Sequence, residues 1–282
     1  MDPITHGLAG ALIAEAGFSQ KLGGRSRYLL AGAAMFPDID IIYRIEGLPT
    51  YIANHRALTH SFIGLIFSGA ILGAVFGKLD EERRYIPWIA ACWVALFSHQ
   101  ILDLITSYGT VVLYPFSKTR FYFDWVFILD GFLTGTFLIA LIAARLKPER
   151  SERRAKIGLL ILSGYIAFCA LNHTLAMHQL KIAAEKGALT NVDAKLALLE
   201  AYTFTENRPG DAAAIARELQ SKYPGNQTFA RYLLKIYADL KNRAELTKTA
   251  RQILVRVKEG KPNFSAFMKA EAERALAEAS KM

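Results

Sequence analysis

The sequence is poor in cysteine, with only Cys92 and Cys169 among 282 residues, and both lie inside apolar runs. This excludes a disulfide framework or a thiolate metal site as the organising feature, and the two read as small buried hydrophobes. No basic residue precedes the first apolar stretch, which opens Met1-Asp2-Pro3, so no cleaved secretory signal is expected. Charged residues make up 21% of the chain and the net charge is +9, yet the basic residues lack the interleaved aromatics of single-strand binders. From Met1 to Leu180 there are 16 Lys/Arg against 13 Asp/Glu, most of the basic ones in short loops between apolar runs. That placement is the signature of membrane topology, and nucleic acid is not an expected partner.

What the chain has in quantity is apolar sequence: 52% of residues, gathered before about Leu180. Four runs approach the roughly 20 residues that a helix needs to cross the hydrocarbon core: His60 to Leu79, Tyr85 to Thr106, Trp125 to Leu146 and Ile157 to Met177. Two shorter stretches precede them, Ile4 to Phe18 and Tyr28 to Tyr43, as a tight helical hairpin that crosses fully or is partly re-entrant. Basic loops around Arg25, Arg83 and Arg153 fall on one side if every stretch crosses once, and positive loops stay in the cytoplasm. The expected fold is therefore all-α: a polytopic membrane domain of about six transmembrane helices over 1–178, with both termini outside. A soluble helical domain follows over 179–282.

Ionisable groups in membrane segments are costly and tend to be functional. Here they share one end of their helices. Thr5-His6 opens the first stretch, Pro37-Asp38-Ile39-Asp40 ends the second, and His55-Arg56 and Thr59-His60-Ser61 precede the first long span. His99 and Asp103 sit four apart near the end of the next span, on one helix face, with Thr106 following. That spacing lets an imidazole and a carboxylate bind one metal, or lets the carboxylate orient the imidazole. The proline before Asp38 and Asp40 should break its helix and free both carboxylates to converge. Four histidines (His6, His55, His60, His99) and three aspartates (Asp38, Asp40, Asp103) suit zinc or another first-row divalent metal. Seven groups exceed one tetrahedral shell, so two ions, or one ion with supporting residues, both fit. Thr5, Thr59, Thr106 and Asp124 are the expected supports. The loop charges put this cluster on the outer face. His173 and His178, at the end of the last span, read as interfacial, and Tyr108, Tyr114, Tyr122 and Trp125 as an aromatic interface belt.

The order Thr5-His6-x-x-x-Gly10, Pro37-Asp38-x-Asp40, His55-Arg56-x-x-Thr59-His60-Ser61 and His99-x-x-x-Asp103-x-x-Thr106, followed by Gly109 and Pro115-Phe116-Ser117, resembles the YbcI/YdjM-type membrane-bound metal-dependent hydrolases (the DUF457 family). The resemblance covers roughly Met1 to Met177, and that family is in turn distantly similar to the all-helical zinc-dependent phospholipase C. It implies metal roles for His6, Asp38, His55, His60, His99 and Asp103, with Asp40 a ligand or catalytic base. It also implies a hydrolase of phosphoesters in a bacterial or archaeal cytoplasmic membrane. Membrane embedding favours a lipid or lipid-linked substrate, with Arg56 neutralising a phosphate oxygen.

From about Gln179 the sequence becomes amphipathic and alanine-rich. Ala216-Arg217 recurs as Ala250-Arg251, Leu219 as Ile253, and Leu199 as Leu233 and Phe267, a period of 34 residues. Turn signals fall at Pro209-Gly210, Pro224-Gly225-Asn226 and Gly260-Lys261-Pro262-Asn263. Tetratricopeptide-like repeats that bind a protein partner and a plain helical bundle are both consistent with this pattern. A scaffold whose metal is structural is the alternative to the enzyme.

Overall fold

The computed structural model describes residues 1–47, 50–51, 54–186, 188–259 and 266–282; the turn expected at Gly260-Lys261-Pro262-Asn263 lies outside them. Every regular element among the described residues is a helix, and Thr110 and Phe121 form one isolated β-bridge. They divide into a unit from Met1 to Thr174 and a unit from Leu175 to Met282, a boundary that falls within a single long helix.

The first unit begins with α1 (Pro3–Ile13), which Asp2 caps by accepting from the Thr5 amide and which has Pro3 in its first turn. The helical path continues through a π-turn (Ala14–Phe18) into α2 (Ser19–Leu22). Helix α3 (Ser26–Met35) stops ahead of Pro37, as the sequence requires, and the chain tightens into a 3₁₀ segment, Phe36–Glu46. Then come α4 (Phe62–Leu79), α5 (Tyr85–Leu104), α6 (Gly131–Leu146) and α7 (Ser151–Glu185).

Among the described residues, α4, α5 and α7 with its 3₁₀ lead-in are long and apolar enough to cross a membrane, while α6 is apolar but has 16 residues. The span expected from Trp125 thus begins at Gly131. The preceding segment folds back on the end of α5: Phe123 N–H donates to the Leu104 carbonyl, and Trp125 and Val126 N–H to that of Ile105. These bonds satisfy carbonyls that a helix end leaves orphaned. Asp130 then caps α6 through the Leu133 amide.

Apolar side chains cover the outside of this unit. On α4, Phe67 and Ile71 are 64% and 62% exposed, and on α7 Leu160 is 71% exposed. Surfaces of this kind suit lipid, not water. Inside, helices meet through small residues. Gly69, Gly73 and Gly77 line α4 at intervals of four, and an added Cβ at Gly73 would lie 2.3 Å from the Ile89 Cα of α5. Gly10 of α1 faces the Leu30 carbonyl of α3 at 2.3 Å in the same sense. Close approach through such stripes is how membrane helices associate. Cys92 is buried in this packing, Cys169 half-buried, and both are free.

The α4–α5 loop is fixed by Arg84, which donates from Nε to Asp80 Oδ2 at 2.8 Å, from Nη2 to Asp80 Oδ1, and from Nη1 to the Lys21 carbonyl. The guanidinium pulls the Asp80 carboxyl down to about 2. A depressed carboxylate stabilises the fold above its unfolded pKa and loses that contribution as pH falls through its folded one. The pair is near the surface, so the effect is small. Unfolding midpoints of wild type and Asp80→Asn should therefore converge as pH falls from about 4 to about 2; a constant gap across that window would refute the assignment.

The second unit holds α8 (Val192–Glu200, continuing as a π-turn to Thr205), α9 (Pro209–Lys222), α10 (Gln227–Asp239), α11 (Arg243–Lys258) and α12 (Ala266–Ala279). Its core contains Leu199 and Leu233, Ala216 and Ala250, and Leu219 and Ile253, the paired positions of the 34-residue period. Phe267, the third member of the first set, is 54% exposed, so the period does not extend to α12.

Candidate metal centre

Four separate stretches of sequence meet where α1 begins and α5 ends. α1 contributes His6, the 3₁₀ segment Asp38 and Asp40, the loop ahead of α4 His55, Arg56 and His60, and α5 His99 and Asp103. His6, His60, His99 and Asp103 are fully buried, while Asp38 and His55 each keep an exposed edge, their side chains 16% and 14% accessible.

Asp38, His60, His99 and Asp103 each bring one ligand atom to within 4.8 Å of the others. His60 Nε2 lies 3.0 Å from His99 Nε2, 3.3 Å from Asp103 Oδ2 and 3.5 Å from Asp38 Oδ1. His99 Nε2 lies 3.4 Å from Asp103 Oδ2 and 3.8 Å from Asp38 Oδ1. A tetrahedral ion with bonds of about 2.0–2.1 Å sets its ligand atoms about 3.3–3.4 Å apart, and these edges bracket that value.

The hydrogen bonds behind the rings decide what faces the centre. His99 Nδ1 lies 2.7 Å from the Ala34 carbonyl, which only accepts, so Nδ1 carries the proton and Nε2 a lone pair. Thr59 Oγ1 donates to Asp40 Oδ2 at 3.2 Å, leaving it to accept from His60 Nδ1 at 3.0 Å. His60 Nε2 is then a lone pair as well. Two imidazole lone pairs 3.0 Å apart, flanked by two carboxylate oxygens, are mutually repulsive without a cation between them. The donor set fits a divalent metal with nitrogen and oxygen preference.

The remaining predicted residues stand around this centre. Asp103 uses its other oxygen, Oδ1, for His6 Nε2 at 3.2 Å, Arg56 Nη2 at 2.9 Å and the Met1 amine. His6 stacks on His99 with centroids 3.6 Å apart. Asp40 and His55 lie one step outside. Asp40 accepts from His55 Nδ1 and from the Arg56 amide, both at 2.8 Å, so its oxygens fasten the loop instead of facing the centre. Arg56 holds a left-handed backbone, φ +59°, a conformation that costs a non-glycine residue about 1–2 kcal/mol and persists only where its surroundings enforce it. Thr59 belongs to the relay already described. Thr5 and Thr106 brace the helix ends that carry His6 and Asp103: Thr5 Oγ1 contacts Asp2 and Thr134, and Thr106 Oγ1 donates to the Asp103 carbonyl. Asp124 is exposed and is not brought into the grouped ligands. His173 and His178 lie on α7, outside the grouped ligands.

Two neighbours escape sequence reading. Tyr108, expected in an interface belt, packs its ring 5.5 Å from that of His55 and under the guanidinium of Arg56 at 4.9 Å. Arg120 lies over the same ring at 5.3 Å and donates to the His55 carbonyl at 2.9 Å. Only the cationic residue in an aromatic loop hinted at either.

The relay makes a prediction. Asp40→Asn removes the acceptor charge behind His60 and His55 and should lower metal affinity about 10–100-fold, as measured by chelator competition. Unchanged affinity would mean that Asp40 does not orient His60.

Such a fold and site define a class: a helical membrane protein with a buried histidine–aspartate cluster, able to hold a metal ion, at one end of its helices. The family model described as "YdjM inner membrane protein" matches residues 1–176, and the chain belongs to this family. A curated relative, "Uncharacterized protein YfhP" of Bacillus subtilis (strain 168), is 29% identical over 112 residues, which is 40% of this chain and 34% of that protein. The match thus spans about a third of that relative's length. No solved structure matches, and the expected distant similarity to zinc-dependent phospholipase C is not shown.

Proposed function

We propose that this protein is a membrane-bound metal-dependent hydrolase acting on a phosphoester of a lipid or lipid-linked substrate, with zinc as the metal. The observation that carries the metal is the convergence of two histidine lone pairs and two carboxylates on one point. When bound there, the metal would supply Lewis acidity near neutral pH.

The chain's own groups supply the rest. Arg56 is buried, and its Nε and Nη1 have no hydrogen-bond partner among the described residues. They are available to a phosphate oxygen, while Nη2 stays on Asp103. Asp38 Oδ2 is likewise unpartnered, and Asp38 is the grouped ligand with an accessible edge, which makes it the proton acceptor in place of Asp40. Around Asp38 the 3₁₀ segment exposes Ile39, Ile41, Ile42 and Ile45, the last 84% accessible. An apolar rim beside a phosphate-binding group suits a substrate with a polar head and an aliphatic body. The positive loops favour a six-crossing arrangement with this site and the second unit on the outer face.

Purified protein should hold stoichiometric metal and hydrolyse members of a phospholipid and phosphodiester panel, and His99→Ala should lose both properties. Metal-loaded protein inert across the panel would overturn the enzymatic reading. It would favour a scaffold, which has one observation on its side: four protein donors already complete a tetrahedral shell, as structural zinc sites do. In either case the second unit is a tetratricopeptide-like stack for a protein partner, supported by α9 and α11 starting 34 residues apart, at Pro209 and Arg243.

A further inference from the structure

The end of the first unit opposite the metal centre carries a second polar site. The metal-side groups sit at the start of α1 and the end of α5, and α5 alone spans about 30 Å. At the far end Glu15 is 5% exposed within the π-turn that follows α1, a helix form frequent at functional positions. It accepts from Ser151 Oγ at 2.5 Å and pairs with Arg27 Nε at 3.1 Å. Beside it lies a cavity of about 500 Å³, lined by Ser19, Gln20, Arg27, Arg145 and Ser151 among others. A second cavity, of about 540 Å³, adjoins it through Gln20 and Glu152 and is lined by Arg150, Arg153 and Lys156, then by Ile157 and Leu160.

The charges here do not cancel. Glu15 is satisfied by Arg27 and Ser151, and Glu152 by Lys156. Arg145, Arg150 and Arg153 are exposed, form no ion pair with any described residue, and face Glu149 as the one unpaired carboxylate lining these cavities. The amino end of α7 adds positive potential at the same place. Below the arginines, Ile157, Leu160 and Ile161 are 47%, 71% and 51% exposed along α7. Unpaired cations above an apolar helix face have the layout of a phospholipid: anionic head group, then acyl chain.

We propose that these adjoining cavities bind the head group of an anionic phospholipid, its phosphate on Arg145, Arg150 and Arg153 and its acyl chain along Ile157 and Leu160. This site is separate from the metal centre and would hold a resident lipid, not a substrate.

The test uses the full chain in detergent, with phosphatidylglycerol, phosphatidylcholine or inorganic phosphate added and bound lipid counted by native mass spectrometry. Phosphatidylglycerol should be retained and should raise the unfolding temperature, while phosphatidylcholine and phosphate should not. Replacing Arg145, Arg150 and Arg153 together by glutamine should cut retention at least about tenfold. A control with Lys78→Gln and Arg83→Gln, basic positions in the α4–α5 region, should leave retention unchanged. Equal retention of both lipids, an equal effect of free phosphate, or an equal loss in the control would overturn the proposal. Hydrolytic activity is not among the readouts, so the outcome is independent of the function proposed above.

Discussion

Asp103→Ala is expected to yield protein without metal and with a sharply lowered unfolding temperature. No other side chain touches as much of the centre. One oxygen faces His60 and His99, and the other faces His6, Arg56 and the Met1 amine. Its removal deletes a ligand and also strands a buried guanidinium, since Arg56 is 3% exposed and its Nη2 has Asp103 as ion-pair partner. Breaking a buried pair in this way costs about 3–5 kcal/mol, because the surviving charge stays in low dielectric without compensation. Asp103→Asn separates the two effects. It keeps the volume and one acceptor oxygen, so it should lose most of the metal while recovering part of the stability. Elemental analysis beside thermal unfolding of both variants checks this. Stoichiometric metal in Asp103→Ala, or an unfolding temperature within a degree of wild type, would remove Asp103 from the middle of the site.

The same residue shows what the sequence could reveal. The His99–Asp103 pair was legible because a helix places residues four apart on one face, and because charged groups stand out in an apolar run. The membership of the cluster was legible for that reason too: His6, Asp38, His60 and Arg56 all lie in it or against it. Which atom faces which partner was not. Asp38 and Asp40 are two residues apart, yet one faces the centre and the other the loop behind His60. That division follows from the 3₁₀ winding after Pro37 and from the left-handed turn at Arg56, and both depend on tertiary contacts. The apolar pattern runs the third long span from Trp125, because Trp125 to Leu129 is as apolar as a helix interior. Asp130, a capping residue ahead of Gly131, marked the true start. Glu15 carries no signal of its own in the sequence, because its partners Arg27 and Ser151 come from other segments.

The close-packed face of α4 leads to the other large effect. Gly73→Val should collapse the yield of folded protein and, in what folds, release the metal. The β-carbon would sit 2.3 Å from Ile89 Cα and 2.6 Å from its amide nitrogen, which are main-chain atoms and cannot swing aside. The helices must separate, giving up the flanking contacts of Gly69 with Trp93 and of Gly77 with Tyr85. Overpacking alone costs about 1–3 kcal/mol, and loss of a shared helix face raises that figure. The consequence reaches the centre because His60 lies just ahead of α4 and His99 on α5. Their Nε2 atoms stand 3.0 Å apart, and a shift of about 1 Å between the two helices carries one of them out of a bonding range that tolerates about ±0.2 Å. Gly32→Ala is the matched control, since that position on α3 has nothing within 4 Å of the added carbon. It should be neutral or slightly stabilising, by up to about 1 kcal/mol, through the helix propensity of alanine. Size-exclusion yield, unfolding temperature and metal content, measured on both variants, check the pair. Normal metal content in Gly73→Val would show that the ligands are held independently of the α4–α5 contact.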